Sequence, residues 1–118
     1  MIEAIDHVQL AAPAGCEDEA RRFFGALCGL EEIPKPEPLA ARGGVWFRCG
    51  SQQLHVGVER DFTPSRKAHP AFRLRSQDEL RSLAERIGEV RWDDELAGYE
   101  RFYASDPFGN RLEFLAAH

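Results

Sequence analysis

Several things that whole classes of protein need are scarce or missing in this 118-residue sequence. Cysteine is limited to Cys16, Cys28 and Cys49, an odd number without a CxxC spacing. That argues against a disulfide framework or a thiolate zinc site and leads to the expectation of reduced thiols in the cytoplasm. No run approaches the roughly 18 apolar residues of a membrane span. Glu3 and Asp6 interrupt the segment where a signal peptide would carry its apolar core. Basic charge is also short, with 15 Lys and Arg against 20 Asp and Glu, a net charge of −5. No Lys/Arg cluster reverses that balance locally, so a nucleic-acid partner is not expected. No glycine signature of a dinucleotide fold or a phosphate loop is present.

What remains is an ordinary globular composition, 43% hydrophobic and 30% charged. A chain of this length makes one domain that buries roughly two-thirds of its unfolded surface.

The chain opens on an alternating stretch, Ile2 to Ala11, with Ile5, His7 and Gln9 on one face and Val8 and Leu10 on the other. Pro13 and Gly15 end it. Glu17, Asp18 and Glu19 then place negative charge where a helix N-terminus favours it. That helix is expected to run to about Cys28 on a stripe of Ala20, Phe23, Phe24 and Leu27, with Gly29 as its stop. Leu30 to Ile33 reads as a short strand before a loop with Pro34, Pro36 and Pro38. Val45 to Cys49 and Gln53 to Glu59 are strands on either side of a turn at Gly50-Ser51.

Arg60 to Lys67 is polar and reads as a linker, after which the pattern restarts. His69 to Arg75 predicts a strand, with Pro70 confining it to an edge or a strand start. Ser76 to Ile87 predicts a helix with Ser76 as N-cap and Glu79 three residues on, and Leu80, Leu83, Ala84 and Ile87 as its apolar stripe. A short strand at Val90 to Trp92 and an acidic loop to Gly98 follow. Arg101 to Ser105 and Arg111 to Leu115 then form a hairpin around Asp106-Pro107-Phe108-Gly109-Asn110, whose residue types are those of a tight turn. The chain therefore reads as two copies of strand, helix and three strands, residues 1–59 and 68–118, within a single α+β domain.

With the copies side by side, His7 and His69 fall at the start of the first strand of each, and His55 and Glu113 on the last strand of each. Each of these residues has an ordinary structural role available. A strand histidine is more often hydrogen-bonded than metal-ligating, and Glu113 between Leu112 and Phe114 can be a solvated outward residue. Their repeat-equivalent placement favours the other reading. Imidazoles and a carboxylate on one concave face suit Zn²⁺, Fe²⁺, Mn²⁺ or Ni²⁺.

The stretches Asp6-His7-Val8-Gln9-Leu10, Leu54-His55-Val56-Gly57, Ala68-His69-Pro70-Ala71-Phe72 and Tyr103 through Glu113 resemble the vicinal oxygen chelate superfamily. Its members include glyoxalase I, fosfomycin-resistance transferases, extradiol dioxygenases and bleomycin-resistance proteins. The resemblance implies paired βαβββ modules forming a cupped mixed or antiparallel sheet with helices outside. It also implies metal ligands at His7, His69 and Glu113. His55 stands where glyoxalase I supplies a fourth ligand, there a glutamate. The implied activity is that of a divalent-metal-dependent lyase, isomerase or dioxygenase acting on a small oxygenated metabolite held through two neighbouring oxygens. Glu113 would be the base, with Glu59 a more exposed alternative. Tyr103 is either a hydrogen-bond donor to substrate or a core aromatic. Gln9, Trp46, Arg48 and Arg73 would line the cleft, although solvated strand faces suit the arginines equally.

The other possibility is a non-enzymatic protein that sequesters an aromatic or drug-like ligand. Asp93, Asp94 and Glu95 stand where the fosfomycin enzymes place a basic residue for a phosphonate, and on sequence grounds they would repel one. Exposed sheet edges in a two-module chain lead to the expectation of a homodimer, with each cleft built from modules of both chains.

Overall fold

The computed structural model describes all residues, 1–118, as two compact units, Met1–Pro64 and Ser65–His118. Their boundary falls within the polar stretch 60–67. No helix is long and apolar enough to cross a membrane.

In the first unit β1 (His7–Ala12) leads to a short helix α1 (Glu17–Ala20), which continues without a break into wider turns over Arg21–Leu27. Then come β2 (Glu31–Ile33), a single tight turn at Leu39–Arg42, β3 (Val45–Cys49) and β4 (Gln52–Val58). The sheet order is β1-β4-β3-β2, with β1 parallel to β4 and the other neighbours antiparallel. One face buries Leu10, Ala12, Val45, Phe47, Leu54 and Val56. Phe24 closes over it, its ring 6.0 Å from that of Phe47.

The structure shortens two of the expected elements here. The first strand begins at His7, not Ile2, and Met1, Ile2 and Ile5 are exposed. β1 is an edge strand whose partner β4 starts at Gln52, so the residues before Asp6 have no backbone to pair with. The helix is α-helical only to Ala20. Beyond it Cys28 N bonds to Phe23 O at 2.8 Å, five residues back. Widening the turn rotates the apolar stripe, so Phe24 is buried while Phe23 and Leu27 are only half-buried. Gly29, at φ 81°, ends the segment as the sequence indicates.

The second unit contains β5 (Ala71–Arg73), α2 (Gln77–Ile87), β6 (Arg91–Asp93), β7 (Tyr99–Ser105) and β8 (Arg111–Ala117). Its sheet order, β5-β8-β7-β6, repeats the first with one parallel pair at the edge. Phe72, Phe114, Phe102 and Trp92 stand opposite one another across all four strands, with successive ring centroids 5.2 to 5.4 Å apart. Phe102 and Phe114 are buried in the unit's core with Leu80, Leu83 and Ala84 of α2, while Phe72 is half-buried and Trp92 exposed. Ser76 Oγ accepts from Glu79 N at 3.1 Å, which caps α2, and Gly88 (φ 89°) ends it. β5 is shorter than the sequence suggests, and His69 lies ahead of it. Pro70 has no N–H to continue the ladder, although its carbonyl still accepts from Glu113 N at 3.1 Å. The whole is the α+β glyoxalase-like architecture, one βαβββ module in each unit.

Candidate functional site

Strand register fixes which side chains share a face. In the first unit Gln9, His55, Trp46 and Ile33 stand in one row across β1, β4, β3 and β2. In the second, Ala71, Glu113, Tyr103 and Arg91 stand in the corresponding row across β5, β8, β7 and β6. His7 precedes Gln9 by two residues and His69 precedes Ala71 by two, so each histidine points to the face of its row. Register therefore makes His7 equivalent to His69 and His55 to Glu113. It adds a pair that sequence comparison missed, Trp46 with Tyr103.

In the first unit this face is an aromatic column. The His55 ring stacks on Trp46 at 3.8 Å and 1°, and on its other side the His7 ring lies 4.2 Å away at 19°. His55 is 4% exposed. Its Nε2 donates to Gln53 Oε1 at 2.8 Å, since an amide oxygen can only accept. Burial holds its pKa below the usual imidazole range, and the neighbouring His7 acts in the same direction. His7 is more open. Its Nδ1 donates to the Asp6 carboxylate at 2.9 Å, which leaves Nε2 as a lone-pair donor. Gln9 lies flat over Gly57, where an added Cβ would meet its amide nitrogen at 2.6 Å. Arg48 is exposed and paired with Glu31 at 2.9 Å. Lys35 sits 5.9 Å from the Trp46 ring centre and bonds the Gly43 carbonyl. Glu59 is exposed just past the end of β4.

The second unit places charge where the first places rings. Glu113 is 6% exposed. Its Oε1 lies 2.9 Å from His69 Nε2 and its Oε2 lies 3.2 Å from Arg101 Nη1. His69 Nδ1 donates to the Lys67 carbonyl at 2.9 Å, so its Nε2 is the atom turned to the carboxylate. Arg101 also binds Asp93 at 2.9 Å, and with Arg91 it holds the Asp93 carboxyl below its usual value, after the larger effect of the Glu95 N–H. Tyr103 is half-buried, with the edge of His69 5.6 Å away. Arg73 is exposed on β5, on the same face. The sequence reading overlooked Arg91, Arg101 and Arg111. Arg101 and Arg111 could have been found, because each lies two residues from Tyr103 or Glu113 on the same strand and so shares the parity of the site face.

Within neither unit do three or more His, Cys, Asp or Glu side chains gather closely enough to hold a metal ion. The donor chemistry of the separate parts nevertheless suits one. His7 and His69 each have Nδ1 engaged by an oxygen acceptor, which is the usual way a protein orients a metal-binding imidazole. His69 Nε2 and Glu113 Oε1 face each other at 2.9 Å, a contact that needs a proton between them or a cation in its place. Two imidazoles and one carboxylate are a donor set for Mn²⁺, Fe²⁺, Ni²⁺ or Zn²⁺ with coordination positions left open. The His55 ring lies between those of Trp46 and His7, with its Nε2 on Gln53.

A fold of two βαβββ modules with this face in each defines the class. Compared with solved structures, the chain is 53% identical to a glyoxalase family protein from Bacillus anthracis, covering all of this chain and 98% of that one at a TM-score of 0.95. The chain belongs to the glyoxalase family, within the vicinal oxygen chelate superfamily. It has the fold of lactoylglutathione lyase from Agrobacterium tumefaciens, at 23% identity and a TM-score of 0.74 over 98% of this chain and 94% of that one. It also has the fold of a mutant fosfomycin resistance protein, FosX, from Listeria monocytogenes, at 17% identity and a TM-score of 0.80 over 100% and 95%. That FosX structure is complexed with Mn(II) and 1S,2S-dihydroxypropylphosphonic acid. No protein-family model and no curated protein matches the chain.

Proposed function

We propose that the protein is a divalent-metal-dependent enzyme of lyase, isomerase or dioxygenase type, acting on a small metabolite with two neighbouring oxygens. We assign the metal-ligand roles to His7, His69 and Glu113, as the resemblance implies. The observation that carries this reading is the His69–Glu113 contact, in which two lone-pair donors are held face to face by fixed second partners. The Mn(II) in the FosX complex supports it by fold analogy.

A bound metal would supply Lewis acidity toward the substrate oxygens. The chain's own residues do the rest. Arg101 fixes Glu113 Oε2, so Oε1 is the oxygen that would hold the metal, and Glu113 would have to release it to accept the substrate proton. Trp46 and the buried His55 offer an aromatic wall with the exposed Gln9 beside it, and Tyr103 stands opposite Glu113 to meet substrate. The Trp46–His55–His7 column also favours a second reading, a metal-free binder of planar aromatic compounds.

Metal content separates the two. The protein purified without added metal, then titrated with Fe²⁺, Mn²⁺, Ni²⁺ and Zn²⁺, is expected to take up one ion per chain, and His7→Ala/Glu113→Ala to take up none. Absence of stoichiometric uptake sinks the enzyme reading. Sedimentation of the same samples tests the further proposal that the cleft is completed in a homodimer, which a monomeric metal-loaded species would contradict.

A further inference from the structure

We infer that the Tyr103 face of the second unit is an oxyanion subsite, formed by Arg91 and Arg111, that holds a carboxylate, phosphate or phosphonate group of the substrate. The inference rests on the metal-site reading only in joining this subsite to a reacting centre at Glu113. Three guanidinium carbons lie over the single Tyr103 ring, those of Arg111 at 4.3 Å, Arg91 at 5.1 Å and Arg101 at 5.3 Å from its centre. Three like charges around one ring repel one another unless anions are present. Arg101 has two, since Asp93 and Glu113 both bind it. Neither Arg91 nor Arg111 forms an ion pair: Asp93, on whose carboxyl Arg91 also acts, is bound to Arg101. Tyr103 attracts all three through its π face without neutralising any of them.

An arginine laid over a ring keeps its in-plane N–H donors, the geometry that meets a planar carboxylate or a phosphate two-point. The position also fits a substrate. Tyr103 stands directly opposite Glu113, and Arg91 directly opposite Tyr103. Two strand spacings, roughly 10 Å between backbones, separate Arg91 from Glu113, and the long arginine side chain shortens that gap to the length of a small metabolite. Arg111 is anchored at the base of the same face, where its N donates to Ser65 O at 2.8 Å. The acidic run that looked repulsive in the sequence does not oppose this. Asp93 is turned onto Arg101 and the Glu95 N–H, while Asp94 and Glu95 are exposed beyond the end of β6.

The test uses the full chain stripped of metal with EDTA, so its outcome is independent of whether the metal reading survives. Acetate and inorganic phosphate are titrated separately at constant ionic strength, following the side-chain NMR signals of Arg91 and Arg111. Saturable binding of one of them is expected, and the anion bound more tightly identifies the substrate group as carboxylate or phosphate-like. Arg91→Gln and Arg111→Gln should each weaken it about tenfold or more, and Arg75→Gln, exposed beyond β5, should leave it unchanged. If Arg111→Gln does not fold, Arg111→Lys, which keeps the charge but not the fork, is expected to weaken binding by several-fold. Failure of both anions to saturate, or equal binding by wild type and the arginine variants, overturns the proposal.

Discussion

Asp106→Ala tests the turn from which the Glu113 strand departs. Asp106 is 4% exposed and its neighbour Asn110 1%. Asp106 Oδ1 accepts from Phe108 N and Asn110 N, and Oδ2 accepts from Asn110 Nδ2, each at 2.9 Å. Asn110 Oδ1 passes the connection on by accepting from Ser65 N at 2.9 Å, on the segment that leads to His69. Truncation to alanine removes three acceptor contacts. The Phe108 N–H is partly exposed and water can replace its partner, but the Asn110 N and Nδ2 contacts are buried, and losing the acceptor of a buried donor costs about 1–3 kcal/mol. Burial also pushes the Asp106 carboxyl pKa up, against the pull of these same bonds, so part of their strength is already offset. The lower half of the range applies, a loss of about 3 kcal/mol from a total on the order of 5–15 kcal/mol.

Asp106→Asn keeps an oxygen for the two backbone donors but sets one amide nitrogen against another, and should lose about 1–2 kcal/mol. Urea unfolding followed by tryptophan fluorescence measures both, with an unchanged slope as the condition for comparing midpoints. Hydrogen exchange should also speed up at Ser65 and Arg111, whose N–H groups depend on the clamp. A loss under about 1 kcal/mol for Asp106→Ala, or an Asp106→Asn variant as damaged as the alanine, would refute the reasoning.

Other predictions concern the first unit. Gly44 has φ 87°, and a Cβ there would lie 2.2 Å from the Val56 carbonyl oxygen. Gly44→Ala should therefore cost more than about 2 kcal/mol in urea unfolding, while Gly50→Ala, at φ 61° with nothing within 4 Å, should cost only about 1 kcal/mol. Glu17 accepts from Gly44 N at 2.6 Å, and this bond is the main cause of its lowered pKa. A carboxyl held down in the folded state contributes stability above its unfolded value, and that contribution is lost as the pH falls through the folded one. Thermal melts of Glu17→Gln should accordingly show a shallower decline than wild type on acidification below about pH 4.5, and parallel curves would contradict this.

Local chemistry made much of the fold legible. Ser76 and Gly88 bound α2 because capping depends on residues a turn away, and Gly29 stops the first helix for the same reason. The hairpin at Asp106–Asn110 was readable because its hydrogen bonds close within five residues. The repeat made His7, His55, His69 and Glu113 visible as equivalent positions, and register within each unit gives them that equivalence. Even the family was legible, because its marks lie in contiguous stretches.

Partners far apart in sequence were not readable in the same way. Whether Ile2 to Asp6 pairs depends on where β4 begins. The widened turn after Ala20 cannot be seen in residues that suit an ordinary helix. That His55 lies between the rings of Trp46 and His7 could not be read from its place on the strand. Asp93 looked like an unopposed negative charge until β6 and β7 set Arg101 beside it, and Arg101 in turn beside Glu113. The sequence by itself determined which donor atoms the protein carries and on which strands. Only the tertiary structure decided what each donor faces, because a strand's neighbours come from register with other strands and not from its own order of residues.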